Sequence, residues 1–236
     1  MDFFISTKRR TDKEELMDDF SIGGDLLRDT LDKLEKINRW LGGNLMTVKT
    51  LKKVLKNHPK EKELTIADIG CGHGDILRDV AKFGRKNGYK MKLIGMDANP
   101  TAIAYANELS VEFSELSFMT EDVFSEAFKD RRFDVVLATL FLHHFKENPL
   151  VSFLGNTLKQ TKIAIVVNDL HRHKLAYYLF MLLSVFIKNN MIIEDGLTSV
   201  LRGFKRKELV KISQRIQVKS QISWKWAFRF QWIIQK

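Results

Sequence analysis

One change of period restricts the fold of this 236-residue chain more than any other feature. Leu64-Thr65-Ile66-Ala67-Asp68-Ile69 is a short apolar run, Gly70-Cys71-Gly72-His73-Gly74 breaks it, and Asp75 to Lys86 returns to helical spacing. A strand that passes into a helix through glycines leaves bare backbone and free helix-start amides at its carboxyl end. Gly70 permits the tight turn, and Gly72 lets a ligand lie against the main chain.

The alternation continues down the chain. Met91 to Met96 reads as a strand ending at Asp97, and Asn99-Pro100 opens a helix to about Leu109 with a capping side chain followed by proline. Leu116 to Met119, Phe133 to Ala138 and Ile163 to Val167 read as further strands, with a helix near Leu150 to Leu158. Strand–helix–strand order implies right-handed crossovers and a parallel sheet with helices on both faces. Such sheets take ligands outside the carboxyl ends of their strands, here Gly70, Asp97, Asp122 and Thr139. Beyond 168 the pattern predicts an apolar helix over Lys174–Lys188, a loop, and a helix from Lys205 to about Ser213. Strands over Ile216–Ser223 and Ala227–Ile234 follow, and their short connection forces antiparallel pairing. Ahead of the sheet, residues 11–58 read as helical. Leu26, Leu27, Leu31, Leu34 and Ile37 recur at helical spacing between Gly23-Gly24 and Gly42-Gly43, and a second helix covers about Thr47 to Lys56. The expected organisation is a helical lid over 1–60 and an α/β domain over 61–236, with a helical insertion near 170–200.

Charge and cysteine content narrow the partners. The 39 Lys and Arg exceed the 29 Asp and Glu by ten, but residues 201–236 hold ten of the bases against the single acid Glu208. Residues 66–200 are near neutral, with 15 bases and 16 acids, so the basicity is a C-terminal surface property. Cys71, the only cysteine, excludes an intramolecular disulfide and a multi-cysteine zinc site. The N-terminus lacks the order of a signal peptide. The longest apolar run, Leu175–Ile187, has thirteen residues, against the ~20 a membrane span needs. A soluble protein of a reducing compartment, most simply a bacterial cytoplasm, is expected.

The acids beyond the glycine turn point to a nucleoside. Asp97 stands 25 residues after Gly72, at the end of the next strand, where a carboxylate can accept both hydroxyls of a ribose. Asp122, after the third strand, can accept from an adenine amino group with the Val123 amide close by. The run is G-x-G-x-G followed by Asp75, not the G-x-G-x-x-G of dinucleotide sites. A carboxylate at the helix start disfavours a diphosphate and suits S-adenosylmethionine, which carries an ammonium group and no phosphate.

At this point the sequence resembles a family. Asp68-Ile-Gly-Cys-Gly-His-Gly74, Met96-Asp-Ala-Asn-Pro100, Glu121-Asp-Val123 and Phe133-Asp-Val-Val-Leu-Ala-Thr-Leu-Phe-Leu-His-His-Phe145 look, in order, like the motifs of class I S-adenosylmethionine-dependent methyltransferases. The resemblance covers about residues 60–236. It implies a Rossmann-like, doubly wound, seven-stranded, mostly parallel sheet with a C-terminal antiparallel hairpin. It also implies cofactor roles: Asp68, Gly70, Cys71, Gly72 and Gly74 around the methionine part, Asp97 on the ribose, Ala98 against the adenine, and Asp122 and Val123 at its edge. Thr139 and Leu140 would line the cofactor, and S-adenosylhomocysteine would be the product. Leu16-Met-Asp-Asp19 with Ile37-Asn-Arg-Trp-Leu-Gly-Gly43 is similar to a leader of bacterial small-molecule methyltransferases, in which Arg39 or Asn38 would reach the cofactor carboxylate.

A hydroxyl acceptor needs a base to take its proton, and His143, His144 and His171 follow strands on the ligand-binding edge. They are the candidate general bases, and no metal is expected. Lys174–Lys188 is apolar on every face, so core, a homodimer interface or a lid over a hydrophobic acceptor would bury it. As a lid, Tyr177, Tyr178, Phe180 and Met181 would face a phenol, quinone or polyketide. The Asn/Asp-Pro-Pro-aromatic motif of base-modifying amino methyltransferases is absent, since Ala138-Thr-Leu-Phe-Leu142 stands there, and so is a Pro-Cys nucleophile. The expected function is methyl transfer to a small, largely apolar acceptor, at a hydroxyl oxygen. The alternatives are a methyltransferase of RNA or protein, or a cofactor-binding partner subunit without catalysis.

Overall fold

The computed structural model describes residues 5–235. Two helices, α1 (Gly24–Trp40) and α2 (Gly43–Val54), precede the sheet. Then come β1 (Leu64–Ile69), α3 (Asp75–Asn87), β2 (Met91–Asp97), α4 (Pro100–Leu109), β3 (Leu116–Thr120), α5 (Glu126–Lys129), β4 (Phe133–Thr139), α6 (Glu147–Gln160) and β5 (Thr161–Leu170). The chain closes with α7 (Lys174–Ser184), α8 (Asn190–Arg202), α9 (Arg206–Arg215), β6 (Lys219–Lys225) and β7 (Arg229–Gln235).

The strands form one seven-stranded sheet in the order β3-β2-β1-β4-β5-β7-β6. β1 to β5 run parallel, and β7 enters antiparallel between β5 and β6. The order reverses at β1, where the crossovers move to the other face, so a crevice opens beside the ends of β1 and β4. The central strands are apolar throughout because helices cover both faces. One core cluster packs Val136, Phe133, Phe153, Leu154 and Trp232 under α6 and α9, and the other packs Ile66, Leu77, Leu93 and Leu51 under α2 and α3. A third, small cluster of Leu27, Leu31, Ala102 and Tyr105 fastens α1 to α4.

Three expectations change. The segment between α7 and α9 is not a loop but α8, capped by the Asn189 side chain accepting from Ile192 N–H. Residues 11–23 are extended apart from a short 3₁₀ turn over Leu16–Asp18, because they lie across α8 rather than forming a stripe of their own. Asp195 of α8 accepts from the amides of Leu16 and Met17, which satisfies that backbone without a helix. Finally, α7 ends at Ser184 rather than Lys188, and it is not part of the core of the single chain. It packs on α8, with Phe180 against Gly196, while Leu175, Leu179 and Leu182 are exposed. No helix among the described residues is long and apolar enough to cross a membrane.

Candidate active site

A cavity of about 1220 Å³ opens at the carboxyl ends of β1, β2 and β4. Its volume exceeds the roughly 300–1,000 Å³ of common single-ligand sites, so it has room for a cofactor and a second molecule. The sheet edge forms the floor, and residues 8–41 and α8 supply the opposite wall. Two sources of order hold that wall. His73 of the glycine turn stands with Nε2 3.0 Å from Glu35 of α1 and packs its ring, tilted by 41°, against Tyr105 of α4. Asn99, the cap of α4, donates to the Ile22 carbonyl.

Most of the residues singled out in the sequence converge here. Asp68, Gly70, Cys71, Gly72, Asp97, Ala98, Asp122, Val123, Thr139 and Leu140 all line the cavity. Gly70 has φ +68, and a Cβ on it would sit 2.2 Å from the Phe141 ring, so only glycine fits. Asp97 is fixed by two amides, Gly72 N–H on Oδ2 and Asn99 N–H on Oδ1, both at 2.9 Å. Burial raises its carboxyl despite those bonds. Burial, reinforced by Asp75 and Asp97, pushes Asp68 well above the usual carboxylate range, and its Oδ1 has no hydrogen-bond partner. Burial also holds the Cys71 thiol well up, so it stays a neutral wall group. Leu140 adopts φ +52, a costly conformation for a leucine, and is held there by N–H donation to the Asn168 carbonyl.

Two of the residues expected to hold the cofactor lie elsewhere. Gly74 is behind the lining, as the left-handed cap of α3 packed on Phe118. Arg39 points outward and is committed to Asp79 through two nitrogens and to Glu35 through Nε. Its neighbour Asn38 lines the cavity instead. A helix presents adjacent residues about 100° apart, and here Asn38 falls on the cavity side while Arg39 falls toward Asp79.

The three histidines have three environments. His143 is fully buried, with Nδ1 2.7 Å from Asp169 Oδ1 and Nε2 3.5 Å from Glu15 Oε1. Burial alone would lower it, but the charge and hydrogen bond of Asp169, joined by Glu15, hold it at about 9. At neutral pH it is therefore an imidazolium between two carboxylates. His144 is half-buried, lines the cavity, and places Nδ1 2.6 Å from Asp18 Oδ1. Asp18 is in turn paired with Arg202. Burial would raise Asp18, and the hydrogen bond and charge of His144 together with Arg202 hold it far down instead. His171 is not among the cavity-lining residues. Its Nδ1 accepts from Trp224 Nε1 and its ring packs on Phe230, because β5 turns it toward the hairpin. Burial and the nearby Lys205 push it down to about 4.

Glu15, Asp169 and Arg202 are functional candidates that the sequence motifs do not carry, and Asp18 lies in the Leu16–Asp19 leader without a role assigned to it there. Glu15 and Asp18 come from the irregular segment, and Arg202 from the unexpected α8. Asp169, two residues before His171 at the end of β5, and Asp18, within the leader stretch, left local signals. Glu15, His143 and His144 bring one ligand atom each within 4.8 Å of one another, a spacing that can hold a metal ion. Arg202 Nη1 lies 3.5 Å from Glu15 Oε1, so positive charge already reaches this cluster from the protein.

The raised His143 carries a pH signature. A group bound more tightly to its proton in the folded state stabilises the protein fully below its unfolded value, here 6.5, and the contribution disappears as pH rises through about 9. Urea unfolding is expected to show wild-type stability falling by about 3 kcal/mol between pH ~6.5 and ~9.5. The His143→Gln variant should be less stable at the lower pH and show a flatter profile. An equal fall in the variant would place the titration on another group.

Comparison with known proteins agrees with this geometry. A family model described as a methyltransferase domain matches residues 60–181, just over half of the chain. The plantazolicin methyltransferase BpumL in complex with SAH superposes with a TM-score of 0.65 at 18% identity, covering 89% of this chain and 89% of that one. An O-methyltransferase family protein from Burkholderia thailandensis gives 0.66 at 12% identity, over 94% of this chain and 63% of that one. The CurJ carbon methyltransferase gives 0.63 at 14% identity, over 81% and 53%. The glycine turn, the strand-end Asp97 and the reversed sheet order are those of a nucleoside-binding α/β enzyme, and the matched model covers them: the chain belongs to the methyltransferase-domain family and is an S-adenosylmethionine-dependent methyltransferase of the class I fold.

Proposed function

We propose that this enzyme methylates a hydroxyl oxygen of a small, largely apolar acceptor, with His144 as the general base. One observation carries the reading. His144 shares a cavity with Asp97 and the glycine turn, and its Nδ1 is held on Asp18. With Nδ1–H donating to that carboxylate, Nε2 bears the lone pair that takes the acceptor's proton. S-adenosylmethionine supplies an already activated methyl group, so the protein contributes mainly position and proton removal. His143, charged at neutral pH, has no lone pair to offer. His171 is neutral but turned away from the cavity.

The apolar character of the acceptor rests on Met17, Phe124, Phe141, Phe145 and Phe180, which line the same cavity. Residues 8–41 act as its lid, since Glu15, Met17, Asp18, Leu31 and Asn38 all reach the cavity from that segment. A second reading, transfer to an acidic carbon, is favoured by the likeness to CurJ and DszA, both named carbon methyltransferases. The same base would then remove a C–H proton.

The test is a methyl-transfer assay with labelled S-adenosylmethionine against phenols, quinols, β-ketoacyl thioesters and RNA, with the methylated atom assigned by NMR. Transfer to phenol or quinol oxygen supports the proposal. Carbon methylation selects the second reading, and transfer to RNA alone overturns both. Cofactor binding without transfer to any class would mark a partner subunit.

A further inference from the structure

We propose that Arg229 is the carboxylate anchor for the amino-acid end of the cofactor. Arg229 opens β7 and is 2% exposed, yet it lines the cavity. Its Nε has no hydrogen-bond partner, and Nη1 has only a 3.4 Å bond to the Asn168 amide oxygen. No carboxylate among the described residues forms an ion pair with it. A guanidinium removed from water without a counter-charge is costly, and proteins retain one only where something compensates. Burial outweighs the nearby charge of Asp169 here and lowers the group to about 10. An anion brought by a ligand would supply the missing partner.

The surroundings fit an amino-acid zwitterion. On the glycine-turn side, Asp68 Oδ1 is buried and unpartnered, a receptor for an ammonium. On the other side stands Arg229, so one cavity presents a buried carboxyl oxygen and a buried guanidinium nitrogen that both lack hydrogen-bond partners. A short chain of side-chain bonds orders the wall between them. Asn44 donates to Asp75 beside the turn, and Asn38 donates to Asn44. Gly43 keeps the approach open, because a Cβ there would lie 2.9 Å from Arg229 Nη1 and 2.0 Å from Asn38 Oδ1. The other cavity cations are committed or exposed. Arg10 donates to three backbone carbonyls, Arg202 holds Asp18, and Lys8, Arg9, Lys146 and Lys207 lie in solvent at the mouth. Arg39, the sequence's own candidate, is bound to Asp79.

Calorimetry on the full chain with two ligands tests the assignment. S-adenosylhomocysteine carries the amino-acid end, and 5′-methylthioadenosine keeps the nucleoside and thioether without it. In Arg229→Met, S-adenosylhomocysteine affinity should fall by about 30-fold or more, while methylthioadenosine affinity stays within about 2-fold. The unliganded variant should melt no lower than wild type, since an uncompensated buried charge has been removed, and the rise in Tm caused by S-adenosylhomocysteine should shrink. Arg229→Lys should show an intermediate loss. Should Arg229→Met fail to fold, Gly43→Ala, which crowds the guanidinium, should give the same ligand-selective loss. Unchanged S-adenosylhomocysteine affinity, or equal loss of both ligands, would overturn the proposal.

Discussion

Replacing Asp97 with alanine is expected to reduce affinity for S-adenosylhomocysteine by roughly 100-fold or more, the largest single effect on cofactor binding. A carboxylate at this strand end can accept from both ribose hydroxyls, and each such charge-assisted bond contributes about 1.5–3 kcal/mol. Asp97 is already oriented by the amides of Gly72 and Asn99, so little ordering remains to oppose binding. Losing the carboxylate also strips two amides of their acceptors at the turn that cradles the ligand. Asp97→Asn should be milder for the fold and still weak for the nucleoside, since an amide has one acceptor oxygen. Calorimetry alongside thermal unfolding separates the two effects. Retention of near wild-type affinity in a folded Asp97→Ala protein would remove Asp97 from the ribose.

The second large effect is on turnover. His144→Ala is expected to lower kcat by about 100-fold or more on an oxygen acceptor, the usual range for a positioned general base. Affinity for S-adenosylhomocysteine should stay within a few-fold, because His144 acts on the acceptor side. Asp18→Asn should reproduce part of the loss, as the imidazole would lose the carboxylate that sets its tautomer. His171→Ala should leave kcat unchanged, its ring lying against Phe230 and Trp224. His143→Gln tests a different property, since that side chain is an ion-pair hub whose loss is read first in stability. Full kcat in His144→Ala would mean that the base lies elsewhere or that none is needed.

The local grammar of the core was legible because it depends on near neighbours. Pro100 and the Asn99 cap, whose side chain accepts from Thr101 and Ala102, set the start of α4 as read. The apolar runs of β1, β2 and β4 fall where the period changes, and the C-terminal strands pair antiparallel. The irregular N-terminal segment was misread because its backbone is satisfied at long range by Asp195, on a helix itself read as a loop. That α7 is not covered on every side within one chain has a related reason. Composition shows that a helix is apolar but not how many neighbours reach it, and α7 packs chiefly on α8.

The C-terminal charge shows the same division. Ten basic residues after position 200 looked alike in the sequence. In the structure Arg202 is buried on Asp18, Arg206 and Lys207 are exposed, and Arg229 is enclosed without an ion-pair partner. The sequence by itself determined the sheet, the glycine turn and the placing of Asp97 and Asp122 at or just beyond strand ends, because strand-to-helix turns and strand-end residues are set by spacing of a few positions. Only the tertiary structure decided which histidine faces the cavity, which arginine is left uncompensated, and that Glu15 and Asp18 join residues more than a hundred positions away. Those outcomes depend on which groups burial brings together and on whether each enclosed charge finds its counter-charge, and neither is encoded in any local stretch of chain.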